Sequence, residues 1–169
     1  MAILKAIVAV DKDWAIGKDN KLLYRIPEDM EFFKETTINK TVVMGHKTFV
    51  SMNSRSLPKR RNIILTRNYD KCRSTYKRIF MDCDHFDRVI ENDKTNNVYF
   101  IIGGEEIYKR YYRQCSEIFV TMIYDEAKNP DKYFPDLNYC KEFRLDKVIS
   151  TGEYKGLKFK ITKWININK

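Results

Sequence analysis

The sequence contains no apolar run that approaches the length of a membrane-spanning helix. Such a helix needs about 18 or more consecutive apolar residues, whereas the first apolar segment, Met1–Val10, is short and is interrupted by Lys5. The same segment lacks a convincing site for removal of a signal peptide. We therefore expect a soluble protein that stays in the cytoplasm and needs no membrane.

Side chains that bind metal ions are scarce. The chain has two histidines and four cysteines, and no two cysteines form a Cys-x-x-Cys pair. Structural zinc sites need four such ligands at close and regular spacing. We therefore predict four reduced thiols and no metal site. The residues concerned are Cys72, Cys83, Cys115, Cys140, His46 and His85.

The length and composition predict one folded unit. Its 169 residues are 43% hydrophobic, which predicts one domain, residues 1–169, with a substantial core.

What the sequence has in excess is positive charge. The formal net charge is +9, and from Arg55 to Arg78 basic residues accompany a single acid, Asp70. Such a stretch is typical of a solvated surface, of a nucleic-acid-binding face, or of a field that steers a small polyanion into a cleft. Charge alone does not choose among these three.

Apolar runs rich in β-branched residues alternate with helical patterns. The predicted strands are Ile3–Val10, Thr41–Met44, Asn62–Leu65, Val98–Ile102 and Ile118–Ile123, and the predicted helices are Pro27–Thr37, His46–Met52, Asp84–Asn92 and Glu105–Tyr112. In the last part, Leu157, Phe159 and Ile161 alternate with polar residues after a turn at Thr151–Gly156. We predict an α/β fold: a single domain with a mostly parallel central sheet flanked by helices and an antiparallel C-terminal hairpin.

One carboxylate lies where an apolar side chain is expected. Pro27 suits the first position of a helix, because its missing N–H is not needed there. On a helix from Pro27 to Thr37, Asp29 projects into the apolar sector close to Phe33. An unpaired buried charge is costly. Asp29 therefore has either a functional partner or a structural one, such as a neighbouring backbone N–H at the helix start.

Glycines, hydroxyls and cations follow several of the predicted strands. The second strand ends in Gly45-His46-Lys47-Thr48, the third in Thr66-Arg67 and the fourth in Gly103-Gly104. Ligands gather at the carboxyl ends of parallel strands, where glycine allows close approach of the backbone and helix N-termini present free N–H groups. A glycine pair alone is usually only a tight turn. Together these strand ends predict a phosphate-bearing cofactor, and their cations favour NADPH over NADH.

Five motifs in a fixed order make the chain resemble the dihydrofolate reductases. They are Ile16-Gly17-x-x-Asn20, Ile26-Pro27-Glu28-Asp29-Met30-x-x-Phe33, Val43-Met44-Gly45-x-Lys47-Thr48-Phe49, Leu57-Pro58-x-Arg60-x-Asn62, and Ile102-Gly103-Gly104 leading to Tyr108. The resemblance is strong over residues 7–67 and 98–135, and weak over residues 69–97 and at the C-terminus. It implies NADPH-dependent reduction of 7,8-dihydrofolate to tetrahydrofolate, which supports one-carbon metabolism and thymidylate and purine synthesis.

The resemblance implies roles at the substrate side. Asp29 would anchor the pterin and support protonation at its N5, with Thr121 holding Asp29, and Leu22 and Tyr24 would act from the lid. The pterin and benzoyl pocket would be lined by Ile7, Val8, Met30, Phe33, Met52, Leu57, Ile102 and Tyr108. Arg60 would bind the glutamate α-carboxylate with its planar fork. Without the resemblance, the apolar residues are ordinary core and Arg60 is one more surface cation.

The resemblance also implies roles at the cofactor side. The cofactor-binding residues would be Ala9, Ile16, Gly17, Asn20, Gly45, His46, Lys47, Thr48, Leu65, Thr66, Arg67, Ile102, Gly103, Gly104, Glu105, Glu106, Ile107 and Tyr108. The loop Asp11–Ile26 would be a mobile lid that closes over the nicotinamide. Hydride would pass from nicotinamide C4 to pterin C6 in one dry pocket.

The chain departs from the family pattern at three places. The family commonly has Leu-Pro-Trp where this chain has Leu22-Leu23-Tyr24, so the lid backbone is freer and a phenol replaces the indole that organises water near the pterin 4-oxo group. His46 replaces a frequent arginine or lysine, which weakens one phosphate contact at neutral pH. An extra residue within 53–56 reshapes the pocket entrance.

Three other functions fit part of the sequence. A basic nucleic-acid-binding protein would explain Arg55–Arg78 but not Asp29, and no RNP-like strand, zinc finger or recognition helix is present. A non-catalytic nucleotide-binding protein of this fold would not need Asp29. A related NADPH reductase acting on a pyrimidine or pteridine precursor would not need Arg60. We therefore expect a monomer that binds dihydrofolate and antifolates and requires no nucleic acid.

Overall fold

The computed structural model describes all 169 residues. Its strands, in chain order, are β1 (Ile3–Val10), β2 (Ala15–Lys18), β3 (Lys21–Leu22), β4 (Thr41–Gly45), β5 (Arg61–Leu65), β6 (Arg78–Met81), β7 (Val98–Ile101), β8 (Glu117–Ile123), β9 (Lys132–Tyr133), β10 (Phe143–Tyr154) and β11 (Leu157–Asn166). Its helices are α1 (Pro27–Thr37), α2 (His46–Ser51), α3 (Cys83–Asn92) and α4 (Glu105–Tyr111). No helix combines the length and the apolar character needed to cross a membrane.

Eight strands form the central sheet in the order β10-β11-β8-β1-β7-β4-β5-β6. The six strands from β8 to β6 are parallel to their neighbours, whereas β11 is antiparallel to both β8 and β10. The prediction of a mostly parallel sheet with an antiparallel C-terminal hairpin is confirmed. Because the parallel strands all end at the same edge, the segments that follow β1, β4, β5 and β7 come together there.

Several short elements were missed. The loop expected over Asp11–Ile26 contains β2 and β3, which form a three-stranded sheet with β9. Strand β6 is also absent from the prediction, because four residues at a sheet edge leave too little alternation to detect. Helix α4 ends at Tyr111, one residue earlier than expected, and continues as a single 3₁₀ turn over Tyr112–Gln114.

The two faces of the sheet carry separate apolar clusters. Helices α3 and α4 cover one face, where the ring of Phe86 lies edge-on to Tyr99 and Tyr111 at centroid distances of 5.8 and 5.3 Å. Helices α1 and α2 cover the other face, whose cluster comprises Ile7, Val42, Met44, Phe49, Ile64 and Phe100. Burial of each such side chain contributes about 1.5–3 kcal/mol to stability. The second cluster forms the floor beneath α1 and its carboxylate.

Strand β10 is a long exposed edge with an irregular backbone. Its pairing with β11 shifts register between Leu145 and Lys147 and again between Val148 and Ser150. An edge strand offers unpaired N–H and C=O groups to other chains, and bulges and lysines interrupt that row of groups. The edge is therefore poorly suited to extend the sheet into a second molecule.

Candidate active site

Asp29 and Thr121 meet between α1 and β8. The Thr121 hydroxyl donates a hydrogen bond of 2.6 Å to Asp29 Oδ1. Thr121 is buried and Asp29 is half-buried. Helix α1 starts without a side-chain cap, so the alternative in which Asp29 caps the helix is wrong. The carboxylate therefore keeps its second oxygen for another partner.

The surroundings of Asp29 favour its protonated form. Burial raises the pKa of Asp29 above the ordinary value of 3.8, and the hydrogen bond from Thr121 opposes that rise by stabilising the anion. Asp29 forms no ion pair within the protein. A carboxylate with a raised pKa and a free acceptor is suited to a ligand with paired N–H donors and to a shared proton.

The apolar residues predicted to line the substrate pocket divide between the two faces of the sheet. On the face of α1 and α2 lie Ile7, Phe33, Met52, Leu57 and Ile102, with Met30 on α1 exposed by 41%. Val8 instead packs in the cluster under α3 and α4. Since successive side chains of a strand point to opposite faces, the Val8 side chain points away from Ile7, and only the backbone of Val8 is available on the α1 side. Val8 as a pocket residue stays a prediction.

Tyr108 fastens the start of α4 to β1. Its hydroxyl donates a hydrogen bond of 2.7 Å to the carbonyl oxygen of Ile7, and its ring lies edge-on to Phe134 at 4.9 Å. Burial raises the pKa of Tyr108, so that the hydroxyl stays protonated. Gly103 has a φ of +119°, and an added Cβ would lie 3.2 Å from the Tyr108 ring. The close approach of Gly103 to this ring requires glycine.

Glycines bring the carboxyl ends of β4 and β7 together. The Gly45 N–H donates to the Gly103 carbonyl at 2.8 Å, and an added Cβ on Gly104 would lie 3.2 Å from Thr48 Oγ1. An added Cβ on Gly45 would lie 3.2 Å from Ile107 Cγ1. Helices α2 and α4 both follow a glycine and lack a side-chain cap. Their first N–H groups are therefore free to meet phosphate oxygens.

Cations follow β5, the strand next to β4, and lie beside the start of α2. Leu65, the last residue of β5, is paired in register with Gly45, so Thr66 and Arg67 emerge beside His46 and Lys47. Arg67, His46 and Lys47 are exposed, and none of them forms an ion pair with a carboxylate. An added ribose phosphate would supply the missing anion. The residues present thus fit a phosphate-bearing dinucleotide such as NADPH.

The other residues predicted to bind the cofactor differ in how far they are exposed and in whether their side chains already have partners. Ala9 and Ile16 are half-buried and Gly17 is buried, whereas Asn20 and Glu106 are exposed. The carboxylate of Glu105 accepts a hydrogen bond of 3.0 Å from the Tyr133 N–H and pairs with Lys109 at 3.4 Å. The Glu105 side chain is therefore engaged within the protein, which leaves its backbone for a ligand.

Arg60 is held rigidly beside the end of α1. Its Nη1 donates to Thr37 Oγ1 at 3.0 Å and its Nε donates to the Pro58 carbonyl at 2.9 Å. The guanidinium carbon lies 5.9 Å from the centroid of the Phe33 ring, and burial lowers the pKa of Arg60. No carboxylate of the protein pairs with it. The remaining N–H donors of the guanidinium therefore have no carboxylate partner within the protein.

Asn62 fixes the backbone around Leu57 and Arg60, a role that was not predicted from the sequence. Its side-chain oxygen accepts from the Leu57 N–H at 2.9 Å, and its amide nitrogen donates to the carbonyls of Leu57 and Arg60, both at 3.0 Å. Asn62 is fully buried. A polar residue at the start of an apolar strand was the available signal, because buried amides are placed where they satisfy backbone groups.

Two carboxylates bind the segment Asp11–Ile26 to the connection between β8 and β9. The Ala127 N–H donates to Asp11 Oδ2, and the Asp19 N–H donates to Asp131 Oδ2, both at 3.0 Å. Asp11 is almost completely buried, and its Oδ1 also accepts from the Ala15 N–H at 2.9 Å. The bonds to Ala127 and Asp131 were not predicted from the sequence, because each joins residues that lie more than 100 positions apart.

Tyr24 forms a further side-chain contact with the same connection. Its hydroxyl donates a hydrogen bond of 3.0 Å to Asp125 Oδ2. Burial and this bond raise the pKa of Tyr24, so the hydroxyl is neutral at physiological pH. The single donor of the phenol is thus directed to Asp125, and only its acceptor remains for the water that it was predicted to organise beside the pterin. Leu22, nearby in the lid, is 56% exposed.

Comparison with known proteins identifies the family. The family model described as dihydrofolate reductase matches residues 3–165. The chain is 36% identical over 154 residues to the dihydrofolate reductase of Staphylococcus haemolyticus, covering 86% of each chain. It is 34% identical over 148 residues to that of Haemophilus influenzae, covering 87% of this chain and 88% of the relative.

A solved structure agrees with these relatives. The dihydrofolate reductase from Enterococcus faecalis, complexed with NADP(H) and RAB-propyl, has a TM-score of 0.84 and 28% sequence identity over 98% of this chain and 96% of that chain. The chain belongs to the dihydrofolate reductase family. It is an oxidoreductase that reduces 7,8-dihydrofolate to tetrahydrofolate with NADPH, as the five motifs predicted.

The position of Arg67 predicts how this dihydrofolate reductase selects its cofactor. Arg67→Ala should weaken NADPH binding by about 1.5–3 kcal/mol, the range for a hydrogen bond to a charged group, and should weaken NADH binding much less. Fluorescence titration at fixed salt measures both constants. Arg144→Ala, on the exposed edge strand, controls for lost surface charge. Equal losses for the two cofactors would assign Arg67 to general surface charge.

The bond between Tyr24 and Asp125 predicts a moderate effect on the chemical step. Tyr24→Phe removes one net hydrogen bond, about 0.5–1.5 kcal/mol, and should slow hydride transfer by roughly two- to twelvefold. Single-turnover kinetics are needed, because product release can mask the chemical step. Asp125→Ala should add no further loss in the double variant if both act through this bond. An unaltered single-turnover rate across the pH range would leave Tyr24 as a packing residue.

Proposed function

We propose that Asp29 is the acidic residue that anchors the pterin and supports protonation at its N5. The observation that supports this role is the 2.6 Å bond from Thr121, which fixes Oδ1 while leaving Oδ2 free. A carboxylate offers two acceptors to the paired N–H donors of a 2-aminopyrimidine edge. Because burial raises the pKa of Asp29, the group holds a proton more readily than an exposed carboxyl does, which suits a role in proton transfer.

The remaining residues of the pocket orient the substrate and exclude water. Ile7 and Phe33 would contact the pterin ring from the floor and from α1, and Leu57 would contact the benzoyl group where Asn62 holds its backbone. When bound, NADPH supplies the hydride that pterin C6 receives. The hydroxyl of Tyr108 keeps the end of β1 close to Gly103, so that the cofactor side and the substrate side of the pocket adjoin.

We propose that Arg60 binds the α-carboxylate of the glutamate tail. Its guanidinium is positioned by Thr37 and Pro58 and has no acidic partner in the protein. On the cofactor side, we assign the ribose phosphate to Thr66 and Arg67, and the bridging phosphates to the uncapped starts of α2 and α4 with Lys47 and Thr48. The free cations and N–H groups at these positions support the assignment.

A direct assay tests the function. The purified protein is mixed with dihydrofolate and NADPH, and absorbance in the nicotinamide band is followed. A decrease that requires both compounds, and that is slower with NADH, is the expected result. No decrease with dihydrofolate, together with activity on a tail-less pteridine, would favour a reductase of a pterin precursor instead.

We also propose that residues 1–169 act as a single, monomeric domain in the cytoplasm, without nucleic acid. The eight-stranded sheet, which joins the first strand of the chain to the last two, supports the single domain, and the bulged edge at β10 supports the monomer. The four cysteines are free thiols, as expected in a reducing compartment. Size-exclusion chromatography with light scattering tests the monomer directly.

A further inference from the structure

The side chain of Glu105 joins helix α4 to strand β9. Glu105 is the first residue of α4, and its Oε1 accepts a hydrogen bond of 3.0 Å from the Tyr133 N–H. Lys109, one turn further along the same helix, pairs with the same oxygen at 3.4 Å. The Glu105 side chain is 19% exposed, whereas that of Lys109 is 59% exposed. The carboxylate is therefore enclosed between the helix and β9.

Strand β9 in turn holds the segment Asp11–Ile26. Tyr133 is paired with Ala15 in the three-stranded sheet, and the Phe134 N–H donates to the Trp14 carbonyl at 2.9 Å. The rings of Trp14 and Phe134 are stacked, with their centroids 6.2 Å apart. Any contact that fixes β9 therefore also fixes the start of this segment.

The ring of Tyr108 forms a second connection between α4 and the end of β9, where it lies edge-on to Phe134 at 4.9 Å. Tyr108 is buried, and its hydroxyl is bonded to the Ile7 carbonyl. Replacement of Tyr108 would therefore disturb the core as well as the connection. The bond between Glu105 and Tyr133 lies at the surface, so it can be removed by itself.

Glu105 also stands next to the glycines that bring β4 and β7 together. It follows Gly103 and Gly104 directly in the chain, and the Gly103 carbonyl accepts the hydrogen bond from the Gly45 N–H. The cofactor phosphates are proposed to lie beside these glycines. Two short links therefore set how far the segment Asp11–Ile26 lies from the phosphates: the peptide bond from Gly104 to Glu105, and the hydrogen bond from Tyr133.

We propose that Glu105 is a positioning residue, which holds the segment Asp11–Ile26 against the nicotinamide end of bound NADPH by fastening β9 beside the glycines. This proposal rests on the cofactor site proposed above, with the phosphates near Gly104 and the nicotinamide under that segment. The Glu105 side chain acts through Tyr133 and not by contact with the cofactor. Its loss should weaken the hold on the nicotinamide end while leaving the hold on the phosphates intact.

The experiment compares two ligands, NADPH and 2′-phospho-ADP-ribose, which carries a hydroxyl in place of the nicotinamide. Both ligands have the same phosphates, so a change of charge near the glycines alters the two dissociation constants alike. Only NADPH extends under the segment Asp11–Ile26. The dissociation constant of 2′-phospho-ADP-ribose divided by that of NADPH, which we call the nicotinamide ratio, therefore reports the nicotinamide end alone. Isothermal titration calorimetry at fixed salt measures both constants.

Four variants separate the reach of the side chain from its charge. Glu105→Ala removes both the acceptor and the charge. Glu105→Asp keeps the charge but is one methylene shorter, so that it no longer reaches the Tyr133 N–H. Glu105→Gln keeps the reach and an acceptor oxygen without the charge. The control, Glu91→Ala, removes an exposed acid from α3.

We expect the nicotinamide ratio to fall about two- to twelvefold in Glu105→Ala and Glu105→Asp, which is the value of one net hydrogen bond. The ratio should stay within about twofold of the wild type in Glu105→Gln and in the control. Release of NADPH, followed by stopped-flow fluorescence, should be faster in the alanine and aspartate variants and unchanged in the other two. Rescue by glutamine distinguishes a bond to Tyr133 from an effect of charge.

An unchanged nicotinamide ratio in Glu105→Ala would overturn the proposal, even if thermal denaturation without ligand showed a lower stability. Equal weakening of the two ligands would also overturn it, because Glu105 would then act at the phosphates. A ratio in Glu105→Gln as low as that in Glu105→Ala would show that charge, and not the bond to Tyr133, carries the effect. Failure of the wild type to bind 2′-phospho-ADP-ribose would instead contradict the proposed phosphate site.

Discussion

Replacement of Asp29 by asparagine is expected to reduce turnover near neutral pH by about a hundredfold or more, the usual contribution of a general acid–base group. The amide still offers one acceptor to the pterin, but it carries no charge and cannot favour the protonated ring. NADPH binding should be retained, because the cofactor residues lie at other strand ends. Steady-state kinetics and a fluorescence titration of NADPH measure the two effects. Turnover within about threefold of the parent would remove Asp29 from the mechanism.

Asp29→Asn should also change how stability depends on pH, which gives a control for folding. Because the pKa of Asp29 is raised in the folded protein, the folded state holds the proton more tightly than the unfolded state does. Stability therefore falls as pH rises from the ordinary value of 3.8 through the raised pKa. We expect Asp29→Asn to have a higher melting temperature than the parent at pH 7 and little difference at pH 3. A lower melting temperature at pH 7 would mean that the carboxylate is structural.

Arg60→Ala should raise KM for dihydrofolate by about 10- to 150-fold, which corresponds to about 1.5–3 kcal/mol for a hydrogen bond to a charged group. A diaminopyrimidine inhibitor without a tail should bind nearly as before, because only the tail contact differs. Arg61→Ala, one residue along and exposed, should leave the monoglutamate KM unchanged.

The two ligands distinguish recognition from folding in this variant. Arg60 also bonds to Thr37 and stacks on Phe33, so its loss will lower stability somewhat whatever its role in binding. If substrate and inhibitor weaken to the same extent, Arg60 supports the shape of the pocket and does not recognise a carboxylate. Thermal denaturation of the variant with and without inhibitor completes the comparison.

Residues whose positions follow from their neighbours in the chain were the easiest to predict. The proline before Asp29 fixed the start of α1, and 3.6-residue periodicity then placed the carboxylate against the sheet, where the structure has it beside Thr121. Strand alternation contains equally local information, and it predicts that the side chains of Ile7 and Val8 point to opposite faces of the sheet. The structure has them so, although both residues are apolar and adjacent and composition alone does not reveal which face each one occupies.

Residues that act through distant partners were not predictable in this way. Tyr24 and Asp125 are 101 positions apart, and nothing in either neighbourhood indicates the other. Short edge strands such as β6 and β3 depend on partners for their backbone hydrogen bonds, so their sequence carries little pattern of its own. Departure from the family at Tyr24 marked the position as unusual but did not indicate which partner the phenol would find.

The residues that hold the segment Asp11–Ile26 lie at separate positions along the connection between β8 and β9, and their spacing limits which changes in loop length the protein can accept. Asp125 and Ala127 contact the two ends of the lid, whereas Asp131 contacts its middle at Asp19. An insertion or deletion between positions 127 and 131 would therefore displace the middle attachment while leaving both ends in place. The length of that short segment therefore sets where Asp131 lies relative to Asp19. Such a change in loop length would alter how this segment is held without changing any side chain proposed to contact substrate or cofactor.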